Sequence, residues 1–209
     1  MNDIFQKVFR KFVLVFFDDI LIYSKNWADH LHHIAQVFEI LLTHQLFVMR
    51  DKCQFGKSEV CYLGHIISPH GVAMDPGKIE SVMGWPKPTT FKELRGFLGL
   101  TGYYQKFVRG YGAIAKPLTK LLKKNTFEWS SLAKESFNQL KLAMTQAPLL
   151  ALLDFSKHFV VECDASGMGI GAVLLQENRP IAYFSKAIKG RELGISTYEK
   201  EMLALVSAV

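Results

Sequence analysis

The sequence predicts an α+β fold, strand-rich at its start, helical through its middle and strand-rich again near its end. Three observations carry that expectation. Two short runs of β-branched and aromatic residues, 12–17 and 20–23, flank Asp18-Asp19. Cap signals precede segments of helical apolar spacing at Asn26, at Asp75-Pro76 and at Thr90-Phe91-Lys92-Glu93. Short strand-like runs return between residues 159 and 185, with a glycine-rich turn after the first. The 209 residues, 49% hydrophobic with 16 Phe, suffice to bury a core in one large or two small domains.

Residues 1–11 read as the end of a helix with Ile4, Phe5 and Val8 on one face. Runs 12–17 and 20–23 are too brief for helices, so each reads as a buried strand, with Asp18-Asp19 at the tight turn between them. Two adjacent carboxylates between apolar runs repel each other and lose hydration. Unless the turn is simply solvated, such a pair neutralises, finds a basic partner or binds a cation. Carboxylate oxygens suit Mg²⁺ or Mn²⁺, and two such ions about 3.5–4 Å apart can clamp the attacking and leaving oxygens of a phosphoryl transfer.

Asn26 is a good N-cap with Asp29 in the first turn, and Leu31, Ile34, Phe38, Leu41 and Leu42 recur at helical spacing to about His44. His30, His32 and His33 could bind metal, but neighbouring positions on a helix point apart, which favours a solvated face. Runs 47–49 and 60–67 read as strands with Gly56 and Lys57 between them, and Arg50, Lys52 and Lys57 form a basic edge. Tyr62 and Leu63 fit core packing or a binding surface equally.

Asp75 caps a helix with Pro at its first position and Ile79, Val82 and Met83 on its apolar face; Trp85-Pro86 ends it. The capping box 90–93 starts another, carrying Leu94, Phe97, Leu98 and Tyr104. Gly96, Gly99 and Gly102 each cost that helix up to about 1 kcal/mol against Ala, so they need a reason. Tight helix packing is one; close approach of a nucleic-acid backbone is the other. Arg95, Gly99, Gly102 and Lys106 lie near one face and fit either. A further helix spans 114–122, ending in Lys123 and Lys124, and another follows Ser130 with Phe137, Leu140 and Met144 inward and Pro148 closing it. Runs 159–163, 170–176 and 181–185 read as a three-stranded meander, with Asp164 ending the first strand at the turn Ala165-Ser166-Gly167-Met168-Gly169. Residues 197–209 read as a helix with Tyr198, Met202, Leu205, Val206 and Val209 apolar.

The net charge of +6 suits a polyanionic partner. No apolar run reaches the length of a membrane span, so no membrane partner is expected, and the N-terminus lacks a signal-peptide layout. Cys53, Cys61 and Cys163 show no C-x-x-C spacing, and an odd count favours reduced thiols inside a cell. Cys53, Cys61 and His65 have the wrong spacing, and no fourth ligand, for a zinc knuckle.

Phe16-Phe17-Asp18-Asp19 within Val-Phe-Phe-Asp-Asp-Ile-Leu-Ile-Tyr-Ser-Lys resembles the aromatic-x-Asp-Asp box of reverse transcriptases, with flanks similar to those of Ty3/gypsy-type (Metaviridae) retrotransposon polyproteins. The resemblance covers essentially the whole chain. It implies the C-terminal part of a palm at 1–70, a thumb at 71–124, a connection at 125–156 and a truncated ribonuclease H-like mixed α/β domain at 157–209. Asp18 and Asp19 would be catalytic metal ligands, and Lys52 would lie near the incoming nucleotide. Cys61-Tyr62-Leu63-Gly64-His65-Ile66 resembles the hairpin that grips the primer's 3′ end, with Gly64 allowing close backbone approach. The helix bearing Arg95, Gly99, Gly102 and Lys106 would lie along the primer–template minor groove, mainly on phosphate and sugar.

Glu162-Cys163-Asp164-Ala165-Ser166 resembles the first carboxylate motif of ribonuclease H, although Thr is usual where Cys163 stands. Residues 198–204 resemble the second. Glu199 and Glu201 point about 200° apart on a helix, so only one can face Asp164. Periodicity does not choose; the resemblance selects Glu201, making Asp164 and Glu201 the nuclease metal ligands. The implied cofactor is Mg²⁺ or Mn²⁺. The implied partners are an RNA/DNA primer–template, an RNA–DNA hybrid, a dNTP and the rest of the Pol polyprotein, in a cytoplasmic particle and the nucleus. By the same resemblance a third polymerase aspartate and the fingers would precede Met1, and a further nuclease aspartate would follow Val209. Residues 1–209 alone are therefore expected to be inactive. A non-catalytic nucleic-acid-binding relic is the other expectation.

Overall fold

The computed structural model describes residues 3–123, 127–167 and 169–209. Met1, Lys124 and Met168, assigned above to the closing stretch of a first helix, to the end of a later one and to a turn, lie outside the described residues. The fold is mixed α/β and divides into two compact units, Met1–Tyr62 and Leu63–Val209.

In the first unit, strands β1 (Val13–Phe16) and β2 (Asp19–Ile22) form an antiparallel hairpin pairing Val13 with Ile22 and Phe16 with Asp19. The turn is therefore Phe17-Asp18, one residue earlier than expected, and Asp19 opens β2. Alternate residues Val13 and Val15 are buried, but no residue of β2 is. Ile20 and Ile22 of β2 are only half-buried against the same cluster. Residues 3–12 make successive turns rather than a helix. The amide of Arg10, at φ +62°, donates to the Val13 carbonyl at 2.8 Å and folds the chain back before a helix can propagate.

Helix α1 (Trp27–Thr43) starts where expected, the Asn26 side chain accepting from the Asp29 amide at 2.9 Å. Its buried residues are Val37 and Leu41, packed with Phe5, Val13 and Val15. Leu31, Phe38 and Leu42, assigned to the inward face, are exposed. The expected strand at 47–49 does not form: the segment is irregular and leads into a 3₁₀ turn at Arg50–Lys52. Among the described residues no strand pairs with it, and an unpaired strand leaves its backbone groups to water. Strand β3 (Val60–Tyr62) ends the unit.

The second unit begins with Leu63-Gly64 and the hairpin of β4 (His65–Ser68) and β5 (Gly71–Met74), which pairs His65 with Met74. The sequence reading missed β5. Its first residue sits at φ +149°, where a Cβ would fall 2.2 Å from the Leu150 carbonyl oxygen; only glycine lets Val72 and Leu150 exchange their backbone hydrogen bonds there.

Helix α2 (Pro76–Met83) is capped by Asp75. Val82 is buried and Ile79 half-buried, but Met83 faces solvent. The Lys141 ammonium covers the end of α2 by donating to the Met83 and Trp85 carbonyls. Helix α3 (Phe91–Tyr103) has a shifted capping box: Thr90 Oγ1 accepts from the Glu93 amide, while the Glu93 carboxylate reaches past it to the amide and hydroxyl of Thr89. Those bonds hold the Glu93 carboxyl below its ordinary value.

Helices α4 (Tyr111–Leu121) and α5 (Ser131–Thr145) complete the main core, in which Leu94, Phe97, Tyr104, Phe107, Leu118, Leu140 and Met144 are fully or almost fully buried. Phe137, Leu140 and Met144 point inward as expected.

Strands β6 (Val160–Ala165), β7 (Gly169–Gln176) and β8 (Arg179–Ala187) form the antiparallel meander. Helix α6 (Thr197–Ala208) packs on it through Leu203 and Ala204, against Cys163, Ala165 and Phe184. The stripe Tyr198, Met202, Leu205, Val206 and Val209 is exposed, while Lys200 is buried with its ammonium on the Leu193 carbonyl at 3.1 Å. The lysine stem supplies apolar contact and its head finds an acceptor, so apolar periodicity alone picks the wrong face. Among the described residues no helix is long and apolar enough to cross a membrane.

Candidate functional site

Asp18 and Asp19 sit at the tip of the β1–β2 hairpin, and both are exposed. The expected loss of hydration is therefore not what the structure shows: the tip stands clear of the packed residues, with Phe16 and Phe17 exposed beside the pair. The preceding Phe17 holds φ +52°, a costly conformation for a bulky residue, and its ring is 79% exposed. Tyr62 lies within electrostatic reach: burial, and then the charge of Asp19, push its phenol above the ordinary value. Lys52 is exposed on the 3₁₀ turn of the same unit.

The donors at Asp18 and Asp19 are of the right type for Mg²⁺ or Mn²⁺, but two side chains fall short of a complete shell. Among the described residues no group of three or more His, Cys, Asp or Glu is placed to hold a metal ion. His30 and His33 instead direct Nδ1 at the Ser24 hydroxyl, at 3.2 and 2.7 Å, and His33 stacks on Phe12. His32 turns away to Gln36.

The second group of residues surrounds Leu63-Gly64 and α3. Leu63 and Gly64 both adopt positive φ, +51° and +71°, as the two central residues of a type I′ turn do. Their carbonyls accept from the hydroxyls of Tyr103 (2.8 Å) and Tyr104 (2.7 Å). Sequence reasoning gave Tyr104 an apolar role and missed Tyr103; two consecutive tyrosines at a helix end were the signal available.

The three helix glycines separate by environment. Gly96 serves packing, a Cβ there meeting Trp85 at 3.3 Å. Gly102 faces the Tyr111 hydroxyl at an ordinary 3.5 Å. A Cβ at Gly99 would meet nothing within 4 Å beyond its own helix, and Arg95, one turn away, is exposed. Lys106 does not continue that row on the helix. After Tyr103 the chain tightens, the Tyr104 amide bonding to the Thr101 carbonyl, and Lys106 falls in the 3₁₀ turn Gln105–Phe107. Burial pulls its ammonium below the usual lysine value, and its Nζ lies 5.4 Å from the centroid of the Phe107 ring.

The third group lies on the meander. Asp164 lines a cleft of about 220 Å³ together with Glu162, Arg109, Gly110 and Ala113. Strand register puts Asp164 on one sheet face with Gly171 and Ser185, and Cys163 on the other with Ala172 and Phe184. Helix α6 covers the Cys163 face. Glu201 is close enough to Cys163 for its charge to add to burial in raising the thiol's value. Glu199 is committed elsewhere: its carboxylate accepts from the Ser196 amide and hydroxyl, both at 2.8 Å, closing a capping box on α6. The structure thus puts Glu201 beside β6, while Asp164 occupies the opposite face of the strand.

Comparison with known proteins gives these groups a common context. Residues 1–67 match the reverse transcriptase (RNA-dependent DNA polymerase) family, and residues 129–209 match the RNase H-like domain found in reverse transcriptase. The chain is 44% identical over 210 residues to the retrovirus-related Pol polyprotein from transposon 297 of Drosophila melanogaster, covering all of this chain and 20% of that protein. It is 35% identical to the corresponding polyprotein from transposon gypsy of the same fly, covering all of this chain and 21% of that one. A mitochondrial protein of Arabidopsis thaliana is 50% identical over 132 residues, 62% of this chain and 84% of that protein. The chain thus spans about a fifth of the length of the two fly polyproteins. Among solved structures, the foamy viral protease-reverse transcriptase in complex with double-stranded DNA matches with a TM-score of 0.89 and 26% identity, over 99% of this chain and 37% of that one. The same viral protein in complex with an RNA/DNA hybrid matches with a TM-score of 0.88 and 26% identity, over 99% of this chain and 29% of that one. Both families generally use divalent metal ions.

Proposed function

We propose, because the chain belongs to the reverse transcriptase family of retrotransposon Pol polyproteins, that it supplies part of the duplex-holding machinery of an RNA-directed DNA polymerase with ribonuclease H. In this reading residues 1–70 are the C-terminal part of the palm, 71–124 the thumb, 125–156 the connection and 157–209 the start of the nuclease domain. Asp18 and Asp19 contribute two ligands to a Mg²⁺ or Mn²⁺ centre for nucleotidyl transfer. Asp164 is assigned to one for RNA-strand hydrolysis; Glu201, its expected partner, joins it only if its carboxylate reaches past the end of β6 from the Cys163 side. The ions would supply Lewis acidity at the phosphate; the chain's own residues would bind and orient the nucleic acid. In the working polyprotein the substrates are a primer–template, an RNA–DNA hybrid and a dNTP, within a cytoplasmic particle and later the nucleus.

The observation that carries the binding part is the bare face of α3. Gly99 weakens the helix, yet no atom of the fold uses the space it leaves, and Arg95 stands exposed one turn away. A smooth helix face beside a cation suits a nucleic-acid backbone, and contacts of this kind are sequence-independent.

One experiment separates binding from catalysis. Purified 1–209 is expected to bind a primer–template duplex weakly, with an affinity that falls steeply as salt rises, and to extend no primer with Mg²⁺ or Mn²⁺. Affinity unchanged between low and moderate salt overturns the first expectation. Template-dependent incorporation that disappears in Asp18→Asn overturns the second.

The second reading, a non-catalytic nucleic-acid-binding module, draws support from the same open face of α3 beside Arg95, which needs no metal ligand to meet a phosphate backbone. It requires that Asp18→Asn and Asp19→Asn leave duplex affinity unchanged in the presence of Mg²⁺.

A further inference from the structure

Two consecutive tyrosines at the end of α3 do more than fill the core. Tyr104 is buried, and its hydroxyl reaches across 40 residues of sequence to the Gly64 carbonyl at 2.7 Å. Tyr103 is 53% exposed, so water could satisfy its hydroxyl; it bonds the Leu63 carbonyl at 2.8 Å instead. Each of these carbonyls takes a second donor, His65 Nδ1 at 2.8 Å on Leu63 and the Asp75 amide at 3.1 Å on Gly64. Two donors saturate a carbonyl oxygen, so both peptide units of the turn are fully engaged. The His65 ring lies among Tyr103, Tyr104 and Phe107, with centroids 5.4 to 5.6 Å away.

The turn needs such a hold. Leu63 at φ +51° is strained, because the left-handed region is unfavourable for a branched side chain, and an untethered turn would relax. The fit leaves no slack either: a Cβ on Gly64 would sit 2.7 Å from the Tyr104 hydroxyl oxygen.

We propose that Tyr103 and Tyr104 are positioning residues that latch the Leu63-Gly64 turn to the end of α3, fixing the place of a recessed 3′ end relative to the duplex lying on that helix. The inference rests on the reading of α3 as a duplex-binding face and on the resemblance that gives residues 61–66 the grip on a primer's 3′ end. It adds that binding has a register: the chain discriminates a duplex with a recessed 3′ terminus from a blunt one, through two hydroxyl groups that need not touch nucleic acid.

The test uses the whole 209-residue chain, as wild type, Tyr103→Phe, Tyr104→Phe and the double variant. Phenylalanine keeps the ring and removes only the hydroxyl. Two readouts are taken: hydrogen exchange at the amides of residues 64–66, and the ratio of affinities for a recessed-end and a blunt duplex of equal length. In the double variant, exchange is expected to accelerate by roughly tenfold and the recessed-end preference to collapse toward unity, while affinity for blunt duplex stays within about twofold. Tyr103→Phe, at a half-exposed position, is expected to show part of both effects without loss of fold, so the test survives should Tyr104→Phe misfold. Unchanged exchange in the double variant overturns the latch. Accelerated exchange with an unchanged preference overturns the positioning role. A wild type that binds neither probe overturns the duplex reading and this role with it, and the exchange data still show separately whether the latch exists.

Discussion

The two units follow the same local rules and reach different ends. In each, side chains cap the helices as the sequence dictates, Asn26 on α1 and Thr90 on α3. The second unit then buries what its helices offer: Leu94, Phe97, Leu118 and Leu140 are fully covered. The first does not. Its core is Phe5, Val13, Val15, Val37 and Leu41, while Leu42 is 79% and Phe47 97% exposed. Capping fixes where a helix starts; only packing decides what it is worth, because most helical stability in proteins comes from the buried face. The hairpin bearing the two aspartates therefore lies in the less supported unit, and the larger, closed core lies in the other.

The largest expected effect tests that contrast directly. Phe97→Ala should destabilise the second unit by about 3–5 kcal/mol, the cost of an aromatic-sized cavity in a closed core. Phe47→Ala should change stability by no more than about 0.5 kcal/mol, since its ring touches mainly water. Urea unfolding of both variants measures the difference. Equal losses would show that the contrast is false.

Next comes Leu41→Ala, expected to cost about 2–3 kcal/mol, the low end for a buried leucine because its surroundings are open enough to collapse. The sharper readout is regional. Hydrogen exchange should speed up across β1, β2 and α1 while α3 and α5 keep their protection. A loss of protection spread evenly over both units would merge them into one cooperative body.

What the sequence disclosed follows the same division between local and non-local. Asn26, Asp75-Pro76 and Thr90 were legible because a cap is settled within four residues. The meander was legible from its period of two, which also implies that Cys163 and Asp164 face opposite ways. The hairpin turn came out one residue early because register, not composition, decides which residue leaves the ladder. Strand β5 escaped notice because its reason for existing, the approach of Leu150 to Gly71, lies far along the chain. The inward face of α6 was misassigned because Lys200 is buried by a contact with the Leu193 carbonyl that apolar spacing does not encode. Of the candidate sites, the aspartate pair was visible as residues, but its solvent exposure was not. The Tyr103 and Tyr104 hydroxyls could not be linked to Leu63-Gly64 without the fold.

A smaller effect separates two glycines of the second unit. Gly99→Ala should stabilise α3 by up to about 1 kcal/mol, because the helix gains and the new methyl meets nothing. The same variant should bind duplex more weakly if the bare face is a contact surface. Gly112→Ala should do the reverse to the fold: its Cβ would lie 2.9 Å from the Ser185 carbonyl oxygen, a backbone atom that cannot swing aside. Thermal unfolding and duplex binding, measured together, show whether Gly99 is kept at a cost to the helix.

The smallest effect concerns the cap of α6. The Ser196 amide, and then its hydroxyl, hold the Glu199 carboxyl below its ordinary value of 4.5. A carboxylate whose value is lowered on folding adds stability that is fully present above the unfolded value and is lost as pH falls through the folded one. Protection of α6 should therefore be constant near neutrality and weaken below about pH 4.5, whereas in Glu199→Gln it should lack that pH-dependent component. Because the group is exposed, the change should be visible in hydrogen exchange at the start of α6 before it is visible in global unfolding. Parallel pH profiles for the two proteins would mean that the cap is held by the Ser196 side chain alone, and that Glu199 is free for another role.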